Sequence, residues 1–360
     1  MTEQSPTLAP APHCQSMFTV SRTMLAVMVC LSPATLFGLY QFGWPAILLF
    51  TVTIVSSFAF EILCLALARR PILPFATDGS ALLTGWLVAM TLPPWAPWWV
   101  GFLGGGIAIV LGKHVFGGLG QNLFNPAMVA RAMLLVAVPV QLTMWVDPLP
   151  LGSSGAPDFL ASLAITFGAA TAFDAMSSAS VLGTIQSGLD AGRGVSEILA
   201  QTPPIETLFL GNVAGSLGET NAALLLGGGI CLVLLRIIPA VVPLAVLGSV
   251  AGLAALTHLI APDHFVPPQV HLASGALMLC AFFIATDYVT SPITLVGKLI
   301  SGLMIGALIF VIRTWGAFPE GVAFAVLLAN ACTPLIDAYI RPRIFGRTRS
   351  GRPLDLEGAE

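Results

Sequence analysis

Residues 24–68 read MLAVMVCLSPATLFGLYQFGWPAILLFTVTIVSSFAFEILCLALA, and Glu61 is the one charged side chain among them. A helix crosses the hydrocarbon core of a bilayer with about 20 apolar residues. The stretch is therefore long enough for two crossings, predicted at 24–43 and 45–68. The rest of the chain agrees with this reading. Of 360 residues, 9% are charged and 56% hydrophobic, and the mean hydropathy is +0.92. A soluble globular chain carries about 25% charged residues. This composition excludes a soluble enzyme, a disordered tail protein and a nucleic-acid binder with a basic face; the solvent it fits is the lipid bilayer.

Further spans are predicted at 79–92, 98–113 and 124–140, then at 222–238, 240–260, 271–286, 295–312 and 321–340. The fold expected is all-α and integral to the membrane, with about ten transmembrane helices. The third span is short, opening at Asp78-Gly79 and closing at Leu92-Pro93-Pro94. The totals of 36 Gly and 27 Pro also point to broken or closely packed helices. Between the fifth and sixth spans a long loop is expected over 141–220.

Charge placement gives the orientation. Arg22, Arg69, Arg70, Lys113, Arg236, Lys298 and the cluster Arg341, Arg343, Arg347, Arg349 and Arg352 stand near span ends. With ten spans and a cytoplasmic N-terminus all of them fall on the cytoplasmic side, as positive residues should. Segment 141–220 holds seven carboxylates against Arg193 alone and falls outside. Arg131 and Arg313 do not fit this pattern and are expected inside or at the ends of spans, paired or snorkelling. No basic stretch precedes an apolar core at the N-terminus, so the first span reads as an uncleaved anchor. The expected division is a cytoplasmic tail 1–23, a five-helix unit 24–140, the external loop 141–220, a second five-helix unit 221–340 and a cytoplasmic basic tail 341–360. Five spans per half insert the halves upside down relative to one another, the mark of an inverted repeat. GQNLFNPA at 120–127 and NACTP at 330–334 echo each other across the halves.

Several stretches are too polar or Gly-rich for plain spans. Gly117-Gly118-Leu119-Gly120 lets backbone approach a ligand or another helix. GNVAGSLGET at 211–220 lacks the GK[ST] ending of a phosphate loop, so nucleotide hydrolysis is rejected. Residues 173–184, FDAMSSASVLGT, have no His or Lys close in sequence to activate a serine, and nucleophilic hydrolysis finds no support. On its residues alone this stretch reads as a Ser-rich turn capped by Asp174. The six cysteines contain no CxxC pair and read as small hydrophobes. His114, His258, His264 and His271 have no metal-ligand spacing, so no metal is assigned. Glu61, Asp78 and Asp287 are expensive near lipid and are candidates for an ion path. Asp78 and Asp287 also suit helix capping.

DGSALLTGWLVAMTLPP (78–94), GKHVFGGLGQNLFNPAM (112–128), GNVAGSLGETNA (211–222) and ATDYVTSPIT (285–294) together resemble the D subunits of Rnf electron-transport complexes. Those subunits are related to the B subunit of the Na⁺-translocating NADH:quinone reductase. The resemblance implies a subunit of an inner-membrane redox pump that exchanges electrons between ferredoxin and NAD, coupled to Na⁺ or H⁺. It implies FMN held by a phosphoester to a hydroxyl residue in the external loop, in a motif D-x-x-S-G-A-T. Here that motif reads Asp174-Ala175-Met176-Ser177-Ser178-Ala179-Ser180. Gly is replaced by Ser178 and the acceptor Thr by Ser180, which offers the same oxygen. Thr184 is the fallback acceptor. The resemblance further implies a second, non-covalent flavin such as riboflavin, for which Gly117, Gly118, Gly120, Asn122 and Asn125 are candidates beside Phe116 and Phe124. Implied partners are the other subunits, an FMN-bearing neighbour among them, and a flavin transferase. The alternative reading is a small-solute channel of urea-transporter-like fold without redox activity.

Overall fold

A computed structural model describes residues 19–168, 177–178, 180–316, 318 and 320–342. Helix α1, Val20–Leu67, begins where Thr19 Oγ1 accepts from Arg22 N–H. The two spans expected at 24–43 and 45–68 are one 48-residue helix broken at Gly43, whose φ of 71° leaves the helical region. Gly tolerates that conformation, and Pro45 supplies no N–H to continue the ladder across it. Trp95 Nε1 donates to Phe42 O at 3.1 Å beside the break.

The third span is interrupted, as its Asp-Gly start suggested. Helix α2, Ile72–Ala76, stops before Asp78, whose Oδ1 accepts from Ser80 N and Ser80 Oγ and opens α3, Ser80–Thr91. Helix α4, Trp98–Ile109, continues into a π-helical turn, Val110–His114. Helix α5, Pro126–Ala137, starts with Pro at its first position and with Asn125 Oδ1 accepting from Ala127 N and Met128 N. That is the arrangement Asn-Pro favours at a helix start.

The loop expected over 141–220 is substantially folded. Beyond α6, Pro139–Thr143, the pair β1, Trp145–Val146, and β2, Ser177–Ser178, is antiparallel, with Trp145 opposite Ser178. Four short helices follow the chain: α7, Phe159–Phe167; α8, Val181–Asp190; α9, Val195–Gln201; and α10, Ile205–Leu210. They escaped detection because each is too short for a hydropathy window. They bury small cores of their own instead, such as Ile185 and Ile198 against Val266 and Val270.

The second half comprises α11, Ala222–Leu234, and α12, Val241–Ile260. A broken span follows: α13, Pro268–Ala273, then α14, Leu277–Leu279, running into a second π-helical turn at Cys280–Ile284. Helices α15, Leu295–Trp315, and α16, Val322–Tyr339, complete it. Five stretches are long and apolar enough to cross a membrane: α1, α2 with α3, α12, α15 and α16. Helices α5 and α11 are apolar but shorter.

One buried cluster joins both halves, for example Phe42, Leu49, Met90 and Leu134 with Leu232, Val246, Leu279 and Ile305. Large apolar side chains such as Leu36, Leu67, Leu234, Leu244 and Leu259 face outward, which suits lipid rather than water. Small residues set the contacts inside. A side-chain carbon at Gly101 or Gly105 would stand 2.4 Å from Thr53 Oγ1 or Ser56 Oγ, and one at Gly302 or Gly306 would press on Ala245 or Val246 O at 2.7 and 2.5 Å. Both pairs have the small-xxx-small spacing by which membrane helices approach closely.

Candidate functional site

Ser180 stands at the start of α8, 5% exposed. Its Oγ accepts from Gly183 N–H at 3.2 Å, a helix N-cap. The hydroxyl faces a small pocket of about 300 Å³ shared with Leu182, Leu208, Glu219, Ser274 and Gly275. Thr184 is one turn into α8, its N–H bonded to Ser180 O at 2.8 Å. Ser177 and Ser178 form β2, and Asp174 lies outside the described residues.

Beneath this pocket is a buried polar cluster that the sequence reading did not assemble. The break between α13 and α14 turns at Gly275, φ 70°, and leaves the last carbonyls of α13 without helical partners. Arg313 from α15 takes them: Nη1 donates to His271 O at 2.9 Å and Nη2 to Ser274 O at 3.1 Å. A cation at a helix C-terminus is the favourable sign. Arg313 Nη2 also pairs with Glu320 Oε1 at 3.2 Å, which accepts from Ala276 N–H at 2.8 Å. A side chain at Gly275 would stand 1.9 Å from that carboxylate oxygen, so only Gly fits. Glu219 accepts from Ser216 Oγ at 2.7 Å. Burial pushes its carboxyl up to about 8, with the neighbouring Glu320 charge adding to the rise. At neutral pH Glu219 is therefore protonated while Glu320 pairs with Arg313. Arg131 is buried, and its Nη1 makes no hydrogen bond. The two arginines that did not fit the loop pattern are thus interior groups.

A larger cleft, about 780 Å³, lies between the halves. Its walls include Ser80, Asn122, Asn125, Phe282, Phe283 and Asp287. Asn125 Oδ1 is committed to capping α5. Asn122 Oδ1 is buried without a partner, an acceptor free to meet a ligand. Asp287 accepts from Val289 N–H and Thr290 Oγ1. Of the glycines grouped with these asparagines, Gly117, Gly118 and Gly120 all have positive φ and shape a turn held by Arg70 Nη1 on Gly117 O at 2.9 Å. Gly118 lines a different cleft, of about 690 Å³, with Glu61, Asp78, Lys113 and His114. The candidate group for a second flavin is thus divided between two places, and Phe116 and Phe124 form an edge-on pair 6.5 Å apart.

Glu61 is not alone. Lys113 Nζ donates to its Oε1 at 2.8 Å and His114 Nε2 is 3.1 Å from Oε2. Lys113 Nζ also donates to Ser80 Oγ at 2.8 Å. The π-helical turn Val110–His114 is the element that presents both basic groups. The signal was available: a Glu in the middle of an apolar run demands a cation, and Lys113 lay in a flagged polar stretch. Asn125 and Asn330, one in each echoing motif, also meet: with its amide turned to satisfy both neighbours, Asn330 accepts from Asn125 N–H at 2.9 Å.

The matched family model, described as NQR2, RnfD, RnfE family, aligns with residues 7–346. The chain belongs to the NQR2, RnfD, RnfE family. It is 60% identical over 301 residues to the D subunit of the ion-translocating oxidoreductase complex of Rhodobacter capsulatus, covering 84% of each chain. The counterpart of the same description from Halorhodospira halophila is 46% identical over 353 residues, 98% of this chain and 99% of that one. The one from Escherichia fergusonii is 39% identical over 353 residues, 95% of this chain and 99% of that one. For this family member, the apolar helices and the outward-facing leucines fit a multi-pass membrane protein.

Proposed function

We propose that the chain is the D subunit of an Rnf-type ion-translocating oxidoreductase complex and carries electrons through FMN bound covalently at Ser180. The reading is supported above all by near-full-length similarity to proteins so described. The site fits the group. A phosphoester on Ser180 Oγ would put its phosphate at the N-terminus of α8, where unpaired N–H groups and the helix dipole favour an anion. Flavin, when bound, supplies the capacity to accept and release electrons singly; the protein supplies attachment, orientation and charge around it. Ser180 attaches, Ser177 and Ser178 belong to the recognition motif with Asp174, and Thr184 is the next hydroxyl along α8. A second flavin, such as riboflavin, fits the 780 Å³ cleft, whose size suits a cofactor, with Asn122 Oδ1 as a partner. The gating acids proposed for coupling to Na⁺ or H⁺ are Asp78, Asp287 and Glu61, the last with its charge met by Lys113.

We also propose the five-plus-five inverted arrangement, with both termini cytoplasmic and 141–220 periplasmic. Three correspondences support it: broken spans at 72–91 and 268–284, a π-helical turn in each half, and paired glycines on α4 and α15. Other membrane subunits, an FMN-bearing neighbour and a flavin transferase are the expected partners. The test is mild solubilisation of membranes in which the chain is tagged and made with its transferase. It should bring down several integral partners and show flavin absorbance. A colourless chain recovered alone would favour a solute channel.

A further inference from the structure

A cleft of about 820 Å³ opens beside α8 and is separate from the pocket that holds Ser180 Oγ. Its walls are Leu182 and Ile185 of α8, Phe265, and Trp315 of α15. Phe265 and Trp315 meet edge-on at 6.0 Å. Its floor is polar. His271 and Arg313 line it, 5% and 6% exposed, and His271 Nδ1 and Arg313 Nε are both buried without a hydrogen-bond partner. Buried polar atoms are nearly always satisfied, so two orphans converging on one cleft point to a missing ligand. The walls accept a flat apolar ring. The guanidinium N–H offers a donor to a carbonyl or ring-nitrogen acceptor at its edge.

We propose that this cleft seats a planar, carbonyl-bearing redox ring, and that the ring is the isoalloxazine of the flavin attached at Ser180. This rests on the reading of Ser180 as the attachment point. The geometry suits a tether. Leu182 lines both cavities, and Ile185 and Gln186 stand roughly 7.5–9 Å along α8 from Ser180 at 1.5 Å per residue. A five-carbon ribityl chain bridges such a gap. Arg313 then places a fixed positive charge at the edge of the ring, which favours whichever redox state of the flavin carries more negative charge. His271 meets the same edge from α13. A free quinone has the same flat, carbonyl-edged chemistry and is the competing source.

The experiment uses the assembled complex made with its flavin transferase, and reads three things: in-gel flavin fluorescence, native flavin fluorescence with iodide quenching, and the midpoint potential of the covalent flavin. Trp315→Ala removes an aromatic contact from the ring; native flavin fluorescence should rise severalfold with in-gel fluorescence unchanged. Thr314→Trp fills the cleft and should make the attached ring several times more accessible to iodide. Arg313→Lys and Arg313→Gln should lower the midpoint potential, Gln more than Lys. Arg313 also anchors the α13 carbonyls, so the Trp315 and Thr314 variants keep the test decisive if the Arg313 variants fail to fold. Unchanged fluorescence and quenching in both of those variants, with the flavin still attached, overturn the seat while leaving the attachment standing. No covalent flavin in the wild type overturns the attachment and the seat together. Quenching of Trp315 fluorescence by a water-soluble quinone in protein lacking the flavin, abolished by Thr314→Trp, assigns the cleft to a free quinone and overturns the tethered source.

Discussion

The polar residues of this chain act in groups whose members come from distant places in sequence. Glu61 from α1 meets Lys113 and His114 from the π-helical turn after α4. Both charges of the Glu61–Lys113 pair are almost wholly buried, so removing one leaves the other without compensation. Lys113→Met should destabilise by about 3–5 kcal/mol, as for broken buried pairs, and the double variant Glu61→Gln, Lys113→Met should recover much of the loss. Thermal unfolding of the solubilised complex reads both. Equal stability of Lys113→Met and the wild type would show that the pair is not a structural unit. Sequence marked Glu61 as an expensive residue but not its partner, because residue separation says nothing about which helices touch. For Asp78, Asn125 and Asp158 the opposite holds. Each caps the helix that follows it within three residues, and such local hydrogen bonds are written in the sequence.

At the scale of elements, what could be read was apolar length. The spans expected at 79–92, 98–113, 240–260, 295–312 and 321–340 each find a helix, and the break before Ser80 was signalled by Asp-Gly. The single helix running through Gly43 was not, since Gly-Trp-Pro ends helices as readily as it bends them. Nor were the two π-helical turns, which insert one residue per turn without any composition of their own. The folded segment 139–210 was missed because its helices bury only small side clusters. The close contacts of α4 against α1 make a sharper prediction. Gly105 lies where a side-chain carbon would meet Ser56 Oγ at 2.4 Å and Ser57 N at 3.0 Å. The backbone cannot yield there, so Gly105→Val should sharply reduce the folded protein recovered from membranes. Gly248→Ala, with nothing within 4 Å, should leave recovery unchanged. Equal yields would contradict the packing.

For the molecule as a whole, the two halves share one buried core, and in the proposed topology they are oppositely inserted copies. Reporter fusions after Pro204 and after Arg352 should then report opposite sides of the membrane. The same side for both would end the inverted-repeat reading. Family and membrane class were legible because they rest on apolar runs and on motifs spread over most of the chain. The cofactor environment was legible only at Ser180, which a motif marks. Its surroundings are assembled by α10, α13 and α15 and by Glu219 and Glu320, far apart in sequence. The claim that this molecule is a redox subunit turns on one bond. The most direct measurement is mass spectrometry of the peptide spanning Ser180, from protein made with its flavin transferase. The expected result is an added mass of FMN less one water on Ser180, lost in Ser180→Ala and kept in Ser180→Thr. An unmodified peptide in the wild type, or a flavin that persists in Ser180→Ala, would contradict it.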